Sequence, residues 1–305
     1  MTLRAGVIVN ISVYTVCFNE ELMLPHFLNH YSAIANKIVI YDNQSTDSST
    51  SLALTYPNVE IRSFDTNGIF SEPALMSIRE SCWKNDNADY VIVCDVDEFL
   101  VADDGDLQTF LASRAEYSVF QPLGFEMVTE RFPKDYARPI IDQVQSGVYS
   151  RGYSKMVLFD PRRIAAMNFS PGSHYADPMG QKVNVYRADR RMGKSAGYDL
   201  KLLHYKNLGF EYRESRHRLL ASRLQTDAAR TRGFGFHYAL EKEEQLAQFK
   251  RLRRQAFNCV RKSVPVRLKV RMFARRVRKG RLTSASVGYS QRLAAHQSRQ
   301  TASCP

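Results

Sequence analysis

The chain has 305 residues, 44% hydrophobic and 24% charged content and a formal net charge of +12, ordinary for a soluble globular protein with room for a substantial core. No run of about 18 apolar residues occurs, which excludes a transmembrane helix. Five scattered cysteines (Cys17, Cys82, Cys94, Cys259, Cys304) form no CxxC pair, which argues against a secreted disulfide scaffold and against zinc ligation by cysteine, and for a reducing compartment.

Residues 1–16 carry one Arg followed by apolar residues, in the manner of a signal peptide. Asn10 and Ser12 interrupt that run and no small-residue cleavage site precedes Cys17, so 11–17 is read as the first core strand. A helix is predicted over 20–35 with Asn19 as N-cap, then a strand at 37–41 and a turn-rich stretch from Asp42 to Ser49. A short helix over 48–55, a strand at 59–64 and a helix at 73–85, with Pro73 in its first turn, follow. Residues 90–94 form an apolar, β-branched run of the kind buried on both faces. A helix at 107–112 and a strand at 117–122 complete a β-α-β-α order, which predicts an α/β fold with a mostly parallel sheet flanked by helices. Beyond Gly124 the pattern is less regular: a loop at 147–155, strands at 156–159 and 201–205, a turn-rich loop at 170–174, and helices at 211–231 and 240–255.

The charge is segregated. No Asp or Glu follows Glu244, while 16 of the 43 Lys and Arg do, leaving 27 basic against 31 acidic residues before it. The expected division is a body over 1–250 and a basic tail over 251–305, partly helical and then disordered. Its mixture of cations and apolar residues suits peripheral contact with an anionic membrane; nucleic-acid binding is the competing reading, with no recognised module to support it.

In a parallel α/β sheet, ligands sit beyond the carboxyl ends of the strands. Three polar clusters fall there: Asn19-Glu20, Asp42 through Asp47, and Asp95 through Glu98. Strand alternation would point Asp95 and Asp97 the same way. Two like charges in one small volume need a proton, a cation or a basic partner between them, and a hard divalent ion whose shell is completed by phosphate oxygens would meet that need. Glu98 is expected to bond a ligand or cap the next turn, and Lys155 to neutralise a diphosphate.

The segments Cys17-Phe18-Asn19-Glu20-Glu21, Ile38-Val39-Ile40-Tyr41-Asp42-Asn43-Gln44-Ser45-Thr46-Asp47 and Cys94-Asp95-Val96-Asp97-Glu98-Phe99 occur in the order and spacing of family-2-like glycosyltransferases. In particular the chain resembles the bacterial subgroup with an Asp-X-Asp-Glu-Phe metal motif. The resemblance covers roughly 11–250 in organisation; one departure is the absence of the Pro common in the family's first motif. It implies a GT-A fold and transfer of a sugar from a nucleotide-sugar donor, a UDP-sugar, to a glycan or lipid-linked acceptor. In the family the residue matching Asp42 contacts the base or ribose, and the pair matching Asp95 and Asp97 holds the ribose and a Mn²⁺ or Mg²⁺ ion on the diphosphate. By the same resemblance Asn19 and Glu20 lie near the nucleotide, His204 is a further metal ligand and His174 lies near donor or acceptor.

An inverting reaction needs a general base. Glu126, Asp177 and Asp199 are candidates, with spacing after the metal motif favouring Asp177; a retaining reaction stays open. The implied setting is cytoplasmic, at the inner face of a membrane, in polysaccharide or glycoconjugate assembly. The alternative is a degenerate transferase domain serving as an adaptor through its basic tail.

Overall fold

The structure is a computed structural model that describes residues 9–102, 106–188, 199–224, 238 and 240–260. Two sheets organise it. The first has seven strands in the order β12-β6-β9-β4-β1-β2-β3, with β1 Ile11–Cys17, β2 Lys37–Asp42, β3 Val59–Ser63, β4 Tyr90–Val93, β6 Val119–Gln121, β9 Leu158–Phe159 and β12 Val185–Arg187. Strands β4, β1, β2 and β3 are parallel neighbours, and β9 runs antiparallel to β4 and β6. The second sheet has the order β14-β8-β7-β13-β5, from β5 Glu98–Ala102, β7 Leu123–Thr129, β8 Ser146–Tyr149, β13 Leu200–Leu208 and β14 Phe257–Asn258. A small hairpin joins β10 Ile164–Ala166 and β11 Met179–Gly180. The helices are α1 Leu24–Tyr31, α2 Ser49–Ala53, α3 Glu72–Ser81, α4 Leu107–Ala112, α5 Ile140–Gln143, α6 Phe210–Ser222 and α7 Lys242–Gln255. This is the expected mixed α/β architecture, a mostly parallel central sheet flanked by helices, consistent with the GT-A type.

Local chemistry accounts for the elements. Strand β4 is Tyr-Val-Ile-Val with every residue buried, as a central strand covered on both faces requires. Helix α1 buries Leu24, Phe27, Leu28 and Tyr31, an i, i+3, i+4, i+7 stripe. Helix α3 starts at a Ser71 cap bonded to Ala74 N–H, and α4 at an Asp106 cap bonded to Thr109 N–H. Phe99, Phe120, Phe125 and Phe159 are wholly buried, each worth about 1.5–3 kcal/mol of transfer free energy. Among the described residues no helix is long and apolar enough to cross a membrane.

Several boundaries differ from the sequence expectation. The first helix begins at Leu24 rather than residue 20, because Asn19 adopts φ 51° and turns its side chain to another loop instead of capping. The segment after the acidic motif is itself a strand, β5, paired antiparallel with β13. Strand β8 occupies part of the expected loop at 147–155, and β13 runs nine residues. Helix α6 ends at Ser222, and residues 225–231 of the expected helix lie outside the described residues. Helix α7 crosses the expected boundary at residue 250, and β14 adds to the edge of the second sheet. The compact unit runs to Arg261; the rest of the basic tail lies outside the described residues.

Candidate active site

Strands β1, β2 and β3 end level, since Asp42 is in register with Cys17 on one side and Ser63 on the other. Asp42 is 5% exposed. Its Oδ2 accepts Ser45 N–H at 3.0 Å, while Oδ1 is buried with no hydrogen-bond partner among the described residues. A buried acceptor left unmade costs about 1–3 kcal/mol, so Oδ1 is a place where a ligand donor would be welcome. Asn19 ties the first two rim loops together. Its Oδ1 accepts Thr46 N–H at 2.7 Å, and its own N–H donates to Ser45 Oγ at 2.9 Å.

Glu20 N–H donates to Ser49 Oγ at 2.8 Å, and its carboxylate is ion-paired with Arg216 of α6. Burial pushes the Glu20 carboxyl up to about 7 against the pull of Arg216, with Asp97, Asp47 and Asp95 adding to the rise. The Arg216 Nη1 also donates to the Asn19 carbonyl at 2.5 Å and the Phe18 carbonyl at 3.3 Å.

Asp95 and Asp97 lie in the turn between β4 and β5, not on a strand, and Glu98 opens β5. The expectation of strand alternation is therefore corrected: the turn, closed by Glu98 N–H on the Asp95 carbonyl (3.0 Å) and Asp95 N–H on Glu98 Oε2 (3.1 Å), sets where the carboxylates go. Tyr31 braces it from beneath, donating to the Glu98 carbonyl at 2.9 Å and accepting Leu100 N–H at 3.0 Å.

Asp95 is held by two cations, Arg79 Nη2 at 2.8 Å and Lys155 Nζ at 3.3 Å. Burial opposes its ionisation, but Arg79 and Lys155 outweigh it and hold the carboxyl well below the usual range. Glu98 is 1% exposed and lies 2.5 Å from Lys155 Nζ; burial nonetheless raises its pKa. Arg79 also reaches Glu72 at 3.3 Å, and Glu72 accepts Gly172 N–H at 2.6 Å. The basic partner required by the paired aspartates thus exists within the protein for Asp95.

Asp97 is different. Its Oδ2 lies 3.1 Å from His204 Nε2, its side chain is 25% exposed, and its pKa is lowered because His204 outweighs the penalty of burial. His204 stands on β13 opposite Glu98 and beside Glu126 of β7, so the three side chains share one sheet face. Its ring packs on Tyr153 at 4.3 Å, which in turn meets His174 at 5.6 Å. His174 bonds the Gly152 carbonyl at 2.8 Å, and burial with the nearby Lys155 pushes it down to about 4. Gly124 permits this packing: a Cβ there would lie 2.1 Å from the Tyr153 carbonyl carbon.

Among the described residues no group of three His, Cys, Asp or Glu forms a ready-made cation cage. Asp97 and His204 nevertheless fit two adjacent positions on one ion. Their 3.1 Å separation is close to the spacing of neighbouring ligands in an octahedron with bonds of about 2.1 Å. Carboxylate oxygen and imidazole nitrogen both suit a first-row divalent ion, and bound phosphate and water would complete the shell.

The base candidates separate. Asp199 is engaged by Arg114 at 2.8 Å and the Tyr186 hydroxyl at 2.5 Å. Glu126 accepts Asn207 Nδ2 at 3.2 Å, in the row with His204. Asp177 is exposed beside the β10–β11 hairpin; among the described residues no hydrogen bond or ion pair joins its carboxylate to the rim. The sequence reading missed Arg79, Arg216 and Arg223. The last two are seven apart on one helical run, and that spacing on a shared face was the available signal.

No family model matches the sequence, and no curated protein sequence matches it. Among solved structures, S. aureus TarS aligns at 13% identity over 79% of this chain and 42% of that chain, TM-score 0.37. Residues 1–349 of TarS align at 12% identity over 79% and 78%, TM-score 0.34. Glucosyl-3-phosphoglycerate synthase from Mycobacterium tuberculosis, in complex with Mn²⁺, UDP-glucose and phosphoglyceric acid, aligns at 14% identity over 54% and 61%, TM-score 0.31. In a second complex of that synthase the match spans 43% of its chain. Likenesses this distant add no weight to the chemistry, which rests on the geometry above.

Proposed function

We propose that the chain is a metal-dependent glycosyltransferase of the GT-A type that moves a sugar from a UDP-sugar to a glycan or lipid-linked acceptor. One observation carries the reading. An acceptor oxygen without a partner among the described residues (Asp42 Oδ1) ends β2, and a carboxylate held by two buried cations (Asp95) and a carboxylate–imidazole pair spaced for one cation (Asp97, with His204 of β13) follow β4, the two strands that flank β1 in the mostly parallel sheet.

Each group has a task in that reaction. Asp42 takes a donor group of the base or ribose. Asn19 and Glu20 hold the first rim loop against the second. Asp97 and His204 hold the divalent cation, Mn²⁺ or Mg²⁺, which when bound offsets the charge developing on the departing diphosphate. Arg79 and Lys155 fix Asp95, which faces the ribose, and their buried charges give the diphosphate a favourable field. The acceptor hydroxyl loses its proton to a carboxylate. Asp177 and Glu126 are the two choices, and the E126Q and D177N variants separate them by which loses turnover while keeping donor affinity. The basic tail is assigned to an anionic membrane surface on the cytoplasmic side.

The test is a thermal-shift panel of UDP and UDP-sugars with and without Mn²⁺. A ligand at 100 times its Kd adds about 2.7 kcal/mol, a rise of about 5–10 °C for a unit of this size. The shift is expected only with Mn²⁺ and only when Asp97 is intact; Asp97→Asn should abolish it. No shift with any nucleotide in the presence of Mn²⁺ would sink the proposal.

A further inference from the structure

Helix α6 follows the strand that carries His204. Gly209, at φ 85°, turns the chain from β13 into it, a conformation that glycine adopts without strain. Arg216 on the helix and Arg223 at its C-cap are seven residues, about two turns, apart, and they reach the loops that follow β1 and β3. Arg223 stacks 3.6 Å over the Phe18 ring and donates to the Gly68 and Ile69 carbonyls at 3.1 and 3.4 Å. Arg216 meets the loop after β1 at three points. Its Nη1 donates to the carbonyls of Asn19 at 2.5 Å and Phe18 at 3.3 Å, and its Nη2 pairs with the Glu20 carboxylate.

Asn19 gives that grip its consequence. It adopts φ 51°, a left-handed conformation uncommon outside glycine, and the carbonyls before and after its Cα both converge on Arg216. Such backbone persists where its surroundings over-determine it, and here they do so from two sides. From the second rim loop, Ser45 Oγ accepts the Asn19 N–H at 2.9 Å and Thr46 N–H donates to Asn19 Oδ1 at 2.7 Å; from α6 comes the guanidinium. Ser45 N–H in turn donates to Asp42 Oδ2 at 3.0 Å. A continuous chain of hydrogen bonds therefore runs from Arg216 through Asn19 and Ser45 to Asp42. The Arg216 and Glu20 side chains are 17% and 15% exposed, so little water competes for the three acceptors.

We propose that Arg216 is a positioning residue for the nucleoside half of the donor: by fixing the left-handed turn at Asn19 it sets the two rim loops around Asp42, and it takes no part in holding the cation. This rests on the donor-binding reading above. Among the described residues Arg216 makes no hydrogen bond or ion pair with Asp97 or His204, and Asp97 acts on it only through space. The cation half has its own supports, since Arg79 and Lys155 hold Asp95 and Glu98 in the turn after β4. A guanidinium suits the task because its donors form a planar fork that spans two carbonyls and a carboxylate at once, whereas an ammonium is a point charge.

The experiment is calorimetric titration of UDP and of pyrophosphate, each with Mn²⁺, with Tm measured alongside. The proteins are the full chain, Arg216→Ala, Arg216→Lys, and the double variant Arg216→Ala with Glu20→Gln. Pyrophosphate carries the diphosphate without the nucleoside. Arg216→Ala should weaken UDP about 10- to 100-fold, the loss of charge-assisted bonds, while pyrophosphate, reached only by a screened charge, changes by less than about 3-fold. Its Tm should fall by about 3–8 °C because the Glu20 carboxylate loses its cation. In the double variant no buried charge is left unpaired, so Tm should recover while UDP affinity does not. Arg216→Lys should keep Tm and regain only part of the affinity, because it lacks the planar fork. Equal losses of UDP and pyrophosphate, an unchanged UDP affinity in Arg216→Ala, or affinity that returns with Tm in the double variant overturns the assignment. Failure of the wild type to bind UDP with Mn²⁺ would instead overturn the donor-binding reading beneath it.

Discussion

Replacing Lys155 by Met tests how the acidic turn is held. The ammonium, 3% exposed, lies 2.5 Å from Glu98, itself 1% exposed, and 3.3 Å from Asp95, 31% exposed. Asp95 keeps Arg79 in the variant, so most of the loss falls on Glu98. Removing one partner of a buried pair costs about 3–5 kcal/mol, or about 6–20 °C in Tm for a domain of this size. The pH dependence follows from the sign of the shift. Burial raises the Glu98 pKa and Lys155 is the largest influence lowering it; without Lys155 it rises further above its unfolded value of about 4.3. Between those two values the folded state binds the extra proton, so stability falls as pH rises. The deficit of the variant should therefore be small near pH 4 and grow as pH rises. Urea unfolding of wild type, Lys155→Met and the double variant Lys155→Met with Glu98→Gln, followed by circular dichroism at several pH values, measures it. The double variant should recover most of the loss, because no buried charge remains unpaired. A deficit below 1 kcal/mol at pH 7, or one independent of pH, would refute the reasoning.

Two further substitutions probe the supports of the site. Gly124→Ala would set a methyl 2.1–2.4 Å from Tyr153 and Ser154 backbone atoms that lead into Lys155; since backbone cannot swing aside, a loss of about 3 kcal/mol or more in urea unfolding is expected, with weakened Mn²⁺-dependent nucleotide binding. Glu20→Gln should flatten the pH profile of stability. The Glu20 carboxyl, at about 7 in the folded state, contributes stability that is complete below its unfolded pKa and lost as pH rises through 7, so wild type should lose up to about 3 kcal/mol between pH 5 and 8 that the variant keeps.

The strands β1, β2 and β4 were legible because each is a short β-branched run with turn chemistry at its end, and their order alone placed Asp42 and the acidic turn on one rim. What stayed hidden depended on distance in the chain. Arg79 and Lys155 reach Asp95 from 16 and 60 residues away, and Arg216 and Arg223 reach the rim loops across about 155 to 198 residues. No local pattern encodes such contacts; only the packing of α3, α6 and the loop before β9 creates them. Strand β5 was missed because its start doubles as the acidic motif, and Glu98 is both the motif's third carboxylate and the first residue of the strand. His204 was identified as a late histidine in an apolar strand, and the register that pairs it with Glu98 also delivers it to Asp97.

In the proposed donor-binding reading, the charge balance gives a cation its place on this rim. Asp95, Glu98 and Glu72 are paired with two cations, Arg79 and Lys155, while Asp97 is paired with His204 and has Lys206 nearby. A nucleotide diphosphate would bring more negative charge to this cluster. Neither partner is welcome alone: the diphosphate meets an acidic turn, and the cation finds only Asp97 and His204. Together they cancel, since the ion supplies positive charge and the phosphates supply the missing ligands. Linkage then requires the two to raise each other's affinity by one common factor. The cations built into the protein are paired with Asp95 and Glu98, and Asp97, 25% exposed and beside His204, is left for the ion that would arrive with the nucleotide.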